Sequence, residues 1–238
     1  PPFPYRSEEV RVGNAAAGIS LSGTLTLPPD SSARYPAVVL LTGSGPQNRD
    51  SELFGHKPFL LLADRLTRRG IAVLRCDDRG TGRSEGDFPA AADPDFASDA
   101  AACLRYLQGR PEIDPARVGL LGHSAGATAA FLCAADCTDV CFIVSLAGAA
   151  LPGDSILLSQ NRALLRLSGQ EGLWPQQYPQ LRTLYDLLRC DLPAAARTDS
   201  AYRFFLRALP PEQRADSLVR RRLHEQARAG ASPWMTHF

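Results

Sequence analysis

The sequence lacks the marks of several functional classes. It has almost no net charge, +1 from 26 Lys and Arg against 25 Asp and Glu, so no global field steers it toward nucleic acid or a charged membrane surface. The arginines that gather toward the C-terminus (Arg214, Arg220, Arg221, Arg222 and Arg228) fit the solvated faces of helices better than a nucleic-acid patch. No apolar run reaches the length of a membrane-spanning helix, and the first residues do not read as a signal peptide. Six cysteines (76, 103, 133, 137, 141 and 190) follow neither a disulfide framework nor zinc-ligand spacing. They are expected as small buried hydrophobes without a metal or redox role. Methionine is nearly missing: the single one is Met235, while the first residue is Pro1. The expectation is a processed product or a piece of a longer chain.

What remains is a globular chain of 238 residues, 45% of them hydrophobic, long enough for one sizeable domain with a subsidiary lobe. The opening Pro1 to Tyr5 reads as an extended linker. Glu8–Val12 and Ile19–Leu27 alternate with period two, which predicts an antiparallel strand pair. Tyr35–Leu41 is a continuous apolar run, typical of a strand buried on both faces. A helix over His56–Arg69, a strand over Ile71–Arg75 and a helix over Asp95–Gln108 follow. Then come a strand over Arg117–Leu121, a small-residue helix and a last strand over Val140–Leu146. Strands alternating with helices predict an α/β class, with a mostly parallel sheet covered on both faces through residue 150. Residues 151–238 show no convincing strand. They read as amphipathic helices broken by prolines 175, 179, 193, 210, 211 and 233, a helical cap or lid.

The chemistry sits in Gly122-His123-Ser124-Ala125-Gly126. A G-x-S-x-G pentapeptide between a strand and a helix is a nucleophile elbow, in which the serine hydroxyl stands above the carboxyl ends of the sheet. Ser124 is the candidate nucleophile. The backbone N–H of Ala125, at the start of the following helix, is a candidate oxyanion donor. Gly43-Ser44-Gly45 follows the first buried strand, where such an architecture places the second donor, and the Ser44 N–H is the candidate. A phosphate cradle is the competing reading of that loop, but the spacing is not that of a P-loop and Pro46 has no N–H. Asp77-Asp78-Arg79-Gly80 with Gly82 offers a weak dinucleotide reading, yet Arg83 stands where the third glycine belongs. Buried charge pairing in a tight turn is the better reading. No cofactor and no metal is called for.

Three stretches together, Leu41–Asp50 with Phe54–Phe59, Leu74–Ser84 and Gly122–Gly126, resemble a bacterial branch of the α/β-hydrolases. Its members are grouped as esterases near the serine aminopeptidases and dienelactone hydrolases. The resemblance extends from Pro1 to the Ser232-Pro233-Trp234 segment. It implies an α/β-hydrolase fold with a helical cap and an acyl or ester substrate of small size. It also implies two more strands after the cap, the loops of which carry the triad acid and histidine. This chain stops before both. Ala125-Gly126-Ala127 also departs from the Glu-Gly-Gly usual in these relatives. Histidine is scarce, four in all, and none offers a clear base. His123 should point away from Ser124, His56 belongs to a conformation-setting loop, His224 lies in a basic helical run and His237 is second from the end. Asp154 could act as the acid in a variant topology, but without a histidine it has nothing to orient.

Three functions follow. The first is a serine hydrolase, a carboxylic-ester hydrolase represented by an incomplete chain. The others are a non-catalytic binding protein on a hydrolase fold and an aminopeptidase acting on short peptides. The compartment stays open between bacterial periplasm and cytoplasm. Without further strands, Val140–Leu146 would be an exposed hydrophobic sheet edge, which predicts self-association.

Overall fold

The computed structural model describes residues 3–29 and 34–233. Two compact units divide the chain, residues 1–150 and 151–238. The first is built on a six-stranded sheet: β1 (Arg6–Asn14), β2 (Ile19–Leu27), β3 (Tyr35–Leu41), β4 (Ala72–Cys76), β5 (Ile113–His123) and β6 (Ile143–Leu146). Their order across the sheet is β1-β2-β4-β3-β5-β6. β1 pairs antiparallel with β2, and β2 with β4, while β4, β3, β5 and β6 run parallel. Three helices connect the parallel strands: α1 (Pro58–Thr67), α2 (Asp93–Gln108) and α3 (Ala125–Asp136). This is an α/β-hydrolase-type sheet, mostly parallel and covered on both sides.

Period-two alternation decides which side each residue serves. Ala37 and Val39 of β3, Leu74 of β4 and Leu120 of β5 pack with Leu104 and Leu107 of α2 and Cys133 of α3. Their neighbours Val38, Leu40, Val73 and Leu121 face the other way, against Phe59 and Ala63 of α1. The apolar run of β3 thus feeds two cores at once, as a strand buried on both faces must. α1 starts at Pro58 and not at His56, because Leu53–His56 closes on itself: Leu53 N donates to His56 O (3.0 Å) and His56 N to Leu53 O (2.9 Å). Pro58, its N–H missing, then suits the first turn of a helix. α2 starts at Asp93, two residues earlier than its apolar pattern predicts. Pro94 lies in its first turn, and the Asp95 carboxylate accepts from Ala92 N at 2.9 Å.

The second unit contains, among its described residues, four helices: α4 (Gly153–Leu167), α5 (Trp174–Arg189), α6 (Ala194–Ala208) and α7 (Ser217–Gly230). Leu158, Leu184, Leu188, Ala201 and Ala227 make its own core. Pro175 and Pro179 do not break α5 as expected. Pro175 occupies the first turn, where no bond is lost, and Pro179 forgoes one bond while the helix continues. Pro193 and Pro210 do punctuate, each immediately before a helical segment. Asp216 caps α7, accepting from the N–H of Leu218 and of Val219. No helix among the described residues is long and apolar enough to cross a membrane.

Candidate active site

Strand β5 delivers Ser124 to a turn that only small residues can build. A Cβ on Gly122 would stand 2.2 Å from the Gly126 carbonyl oxygen, and one on Gly126 would stand 2.3 Å from that of Leu41 and 2.4 Å from that of Thr42. Both outer positions of G-x-S-x-G are therefore fixed by contact with backbone, which cannot move aside as a flexible side chain would. Ser124 itself sits at φ 52° and ψ −118°, a conformation that costs a non-glycine residue about 1–3 kcal/mol. Its N–H donates to the Leu146 carbonyl at 2.9 Å, which ties the turn to the end of β6. The side chain is half-buried and stands at the N-terminus of α3. That terminus carries about half a positive elementary charge from the aligned peptide dipoles.

Ala125 is the first residue of α3, so its N–H precedes the intrahelical hydrogen bonds. Gly43 lies against the same turn: a Cβ there would be 3.4 Å from Ser124 Cβ and 3.0 Å from His123 Nδ1. The next residue, Ser44, is exposed. Three sequence-derived candidates, Ser124, Ser44 and Ala125, thus fall on adjoining turns at the carboxyl ends of β3 and β5.

The histidines do not join them. His123 is exposed and packs by Gly43, His56 is exposed in its tight turn, and His224 of α7 is exposed beside the Tyr202 ring (5.8 Å between centroids). His237 lies outside the described residues. No hydrogen bond among the described residues links Ser124 Oγ to an imidazole. Asp154 is engaged within the second unit, where Arg189 Nη1 donates to its carboxylate at 2.8 Å and Arg182 Nη1 at 3.4 Å. Burial would raise its pKa, but the Ser155 N–H and Arg189 outweigh that and hold it below the usual carboxylate value.

The turn after β4 is full of its own charges, as the buried-pairing reading predicts. Arg49 donates to Asp77 from its backbone N (2.9 Å), Nε (3.0 Å) and Nη2 (2.9 Å). Burial opposes ionisation of Asp77, but these bonds and the Arg83 N–H more than compensate and lower its pKa. Arg79 forks onto Asp99 at 2.7 and 2.9 Å, and Asn14 donates to the same carboxylate at 2.7 Å. Asp78 differs. Burial pushes its pKa up to about 7, against the hydrogen bonds it accepts from Thr42 and Gln47. A Cβ on Gly82 would stand 2.6 Å from Asp77 Oδ2, so this second glycine serves charge pairing and close approach.

Sequence reasoning passed over Arg49, the anchor of this region. The six cysteines are free thiols, but not uniformly buried: Cys103 and Cys133 are, while Cys141 and Cys190 are exposed. Among the described residues no group of three or more His, Cys, Asp or Glu is placed to hold a metal ion.

Comparison with known proteins agrees with this architecture. The family model Hydrolase_4, described as serine aminopeptidase S33, matches residues 57–185, over half of the chain. Esterase EstD of Thermotoga maritima is 35% identical over 107 residues, 45% of this chain and 25% of that protein. Thiohydrolase apmlB of Arthrinium phaeospermum is 33% identical over 141 residues, 57% of this chain and 42% of that protein. Among solved structures, hypothetical protein PA2218 from Pseudomonas aeruginosa superposes with a TM-score of 0.54 at 22% identity, covering 71% of this chain and 56% of that one. The α/β hydrolase GrgF from Penicillium sp. sh18 gives 0.52 at 20% identity, covering 70% and 56%. The chain spans less than half the length of these two curated relatives.

Proposed function

Because the chain belongs to the serine aminopeptidase S33-like family of α/β-hydrolases, we propose that it is a serine hydrolase acting on carboxylic esters, with Ser124 as the nucleophile. The observation that carries this reading is the strained Ser124 backbone at a strand-to-helix turn whose neighbouring glycines are held against backbone. Strain of this kind is retained where the surrounding structure over-determines it, and it aims the hydroxyl away from the sheet.

In the proposed reaction the deprotonated Ser124 Oγ attacks the acyl carbonyl carbon, the carbonyl π electrons move to oxygen, and a tetrahedral oxyanion forms. The N–H groups of Ala125 and Ser44 stabilise that charge, aided by the positive end of α3. Collapse expels the alcohol and leaves an acyl-Ser124. Water then attacks this intermediate through the same geometry and releases the acid. In this reading Ser124 is the nucleophile and the Ala125 and Ser44 N–H groups are the oxyanion donors, and the proton taken from Ser124 by a general base passes to the departing alkoxide, which leaves as the alcohol. The esterase name of the Thermotoga relative supports an ester in preference to a peptide as substrate.

Hydrolysis of short p-nitrophenyl esters and of aminoacyl p-nitroanilides, by the protein and by its Ser124→Ala variant, tests the reading. Ester turnover lost in the variant is the expected result. Turnover of the anilides alone would favour the aminopeptidase. Ligand binding without turnover of either would favour the non-catalytic reading.

A further inference from the structure

The loop that carries Ser44 is held at both ends by one side chain outside the elbow. Thr42 Oγ1 donates to Asp78 Oδ1 at 2.5 Å, and Gln47 N donates to Asp78 Oδ2 at 2.9 Å. Asp78 N returns a bond to the Gln47 carbonyl at 3.1 Å. The carboxylate therefore brackets a span of four residues, Gly43 to Pro46, which includes one left-handed glycine, Gly45 at φ +86°. Inside the bracket Gln47 Nε2 donates to the Ser44 carbonyl at 3.1 Å, and Ser51 Oγ fixes that amide by donating to Gln47 Oε1 at 2.5 Å. The near end of the bracket also touches the elbow, because the Thr42 carbonyl is one of the two oxygens against which Gly126 is packed.

From this geometry we infer that Asp78 is a positioning residue for the oxyanion loop: by holding Thr42 and Gln47 it fixes where the Ser44 N–H points relative to Ser124. The inference rests on the proposed function, since it matters to catalysis only if Ser44 donates to an oxyanion. A donor aimed at developing charge helps in the transition state far more than in the substrate complex. Misplacing it by about 1 Å can cost on the order of a hundredfold in rate. Release of the bracket should therefore lower kcat and leave KM nearly unchanged. An Asn at this position keeps the shape: its carbonyl can accept from Gln47 N, and its amide can donate to Thr42 Oγ1, which has lone pairs to spare. Ala keeps neither bond.

Two readouts on the protein test this, hydrogen exchange of the peptide containing residues 42–47 and ester kinetics. Asp78→Ala should speed exchange in that peptide and lower kcat by about ten- to a hundredfold with KM within about threefold. Asp78→Asn should restore kcat to within about fivefold of the parent. Unchanged exchange in Asp78→Ala overturns the inference whatever the activity. So does a loss confined to KM, or an Asn variant as impaired as the Ala variant. Should Asp78→Ala fail to fold, Thr42→Val removes one of the two bonds without touching a charge. A fall in kcat of about fivefold or more there supports the inference, and an unchanged kcat overturns it. If exchange responds but the parent protein turns over no ester, it is the proposed function that fails, and the catalytic role of the bracket falls with it.

Discussion

Asp78 also makes a quantitative prediction about stability. Burial moves its carboxyl from an ordinary 3.8 to about 7, so between roughly pH 4 and 7 the folded protein binds a proton that the unfolded chain has lost. Stability drawn from neutral Asp78 is complete below about pH 4 and is lost as pH rises through about 7. At about 1.36 kcal/mol per pH unit, the full effect is roughly 4 kcal/mol. Asp78 keeps part of its surface in water, so roughly 2–4 kcal/mol is the working range. The Asp78→Asn variant cannot ionise. Its stability relative to the parent should therefore rise by that amount between about pH 4.5 and about pH 8, while titrating groups not coupled to Asp78 cancel in the comparison; Asp77 and Asp99 are coupled to it. Urea unfolding of both proteins at several pH values measures this. With slopes of about 1–3 kcal/mol per molar urea, the midpoint difference should change by about 0.7–4 M. A difference that stays flat with pH, or falls as pH rises, would refute the assignment of a buried, reluctantly ionised carboxyl.

Three other outcomes follow from packing and pairing. Gly126→Ala places a methyl 2.3 Å from the Leu41 carbonyl oxygen. It should destabilise the protein by about 3 kcal/mol or abolish folding, as read by urea unfolding, because the clash is with the Leu41–Thr42 backbone and not with a side chain that could swing aside. Arg79→Met leaves the Asp99 carboxylate, 8% exposed, without its counter-ion and should cost about 3–5 kcal/mol by the same assay; adding Asp99→Leu should recover most of it. β6 is a sheet edge among the described residues, with Val144 and the adjacent Phe142 each 38% exposed. We predict concentration-dependent association through it, which sedimentation velocity should detect and Val144→Lys should suppress.

Much of this architecture is legible from local pattern. The apolar run Tyr35–Leu41 announces a doubly buried strand, and the pentapeptide around Ser124 announces the elbow, since both depend on residues next to each other in sequence. The register of β1 with β2 likewise follows from a short connection between two alternating segments. What the sequence conceals is pairing at a distance. Arg49 lies in one of the stretches that carry the family resemblance, but its partners Glu9, Ser22, Thr24 and Asp77 come from three other segments 25–40 residues away, and no local pattern announces them. Nothing local distinguishes Asp77, ionised by Arg49, from Asp78, pushed toward neutrality by burial; their side chains leave the same turn in different directions. Helix starts are hidden for a related reason. Pro58 and the Asp95 cap set them by backbone chemistry, which the apolar period does not report. The prolines of α5 mislead the other way: Pro175 stands in the first turn, where no bond is lost, and the helix continues past Pro179 with one bond fewer.

The central claim is that Ser124 is a nucleophile with a formed oxyanion site. Reaction with a fluorophosphonate, followed by tandem mass spectrometry of the labelled peptides, tests it most directly. The account predicts one adduct, on Ser124, lost in Ser124→Ala and in heat-denatured protein. An unlabelled Ser124 in folded protein, or an adduct that persists in the Ser124→Ala variant, would contradict it.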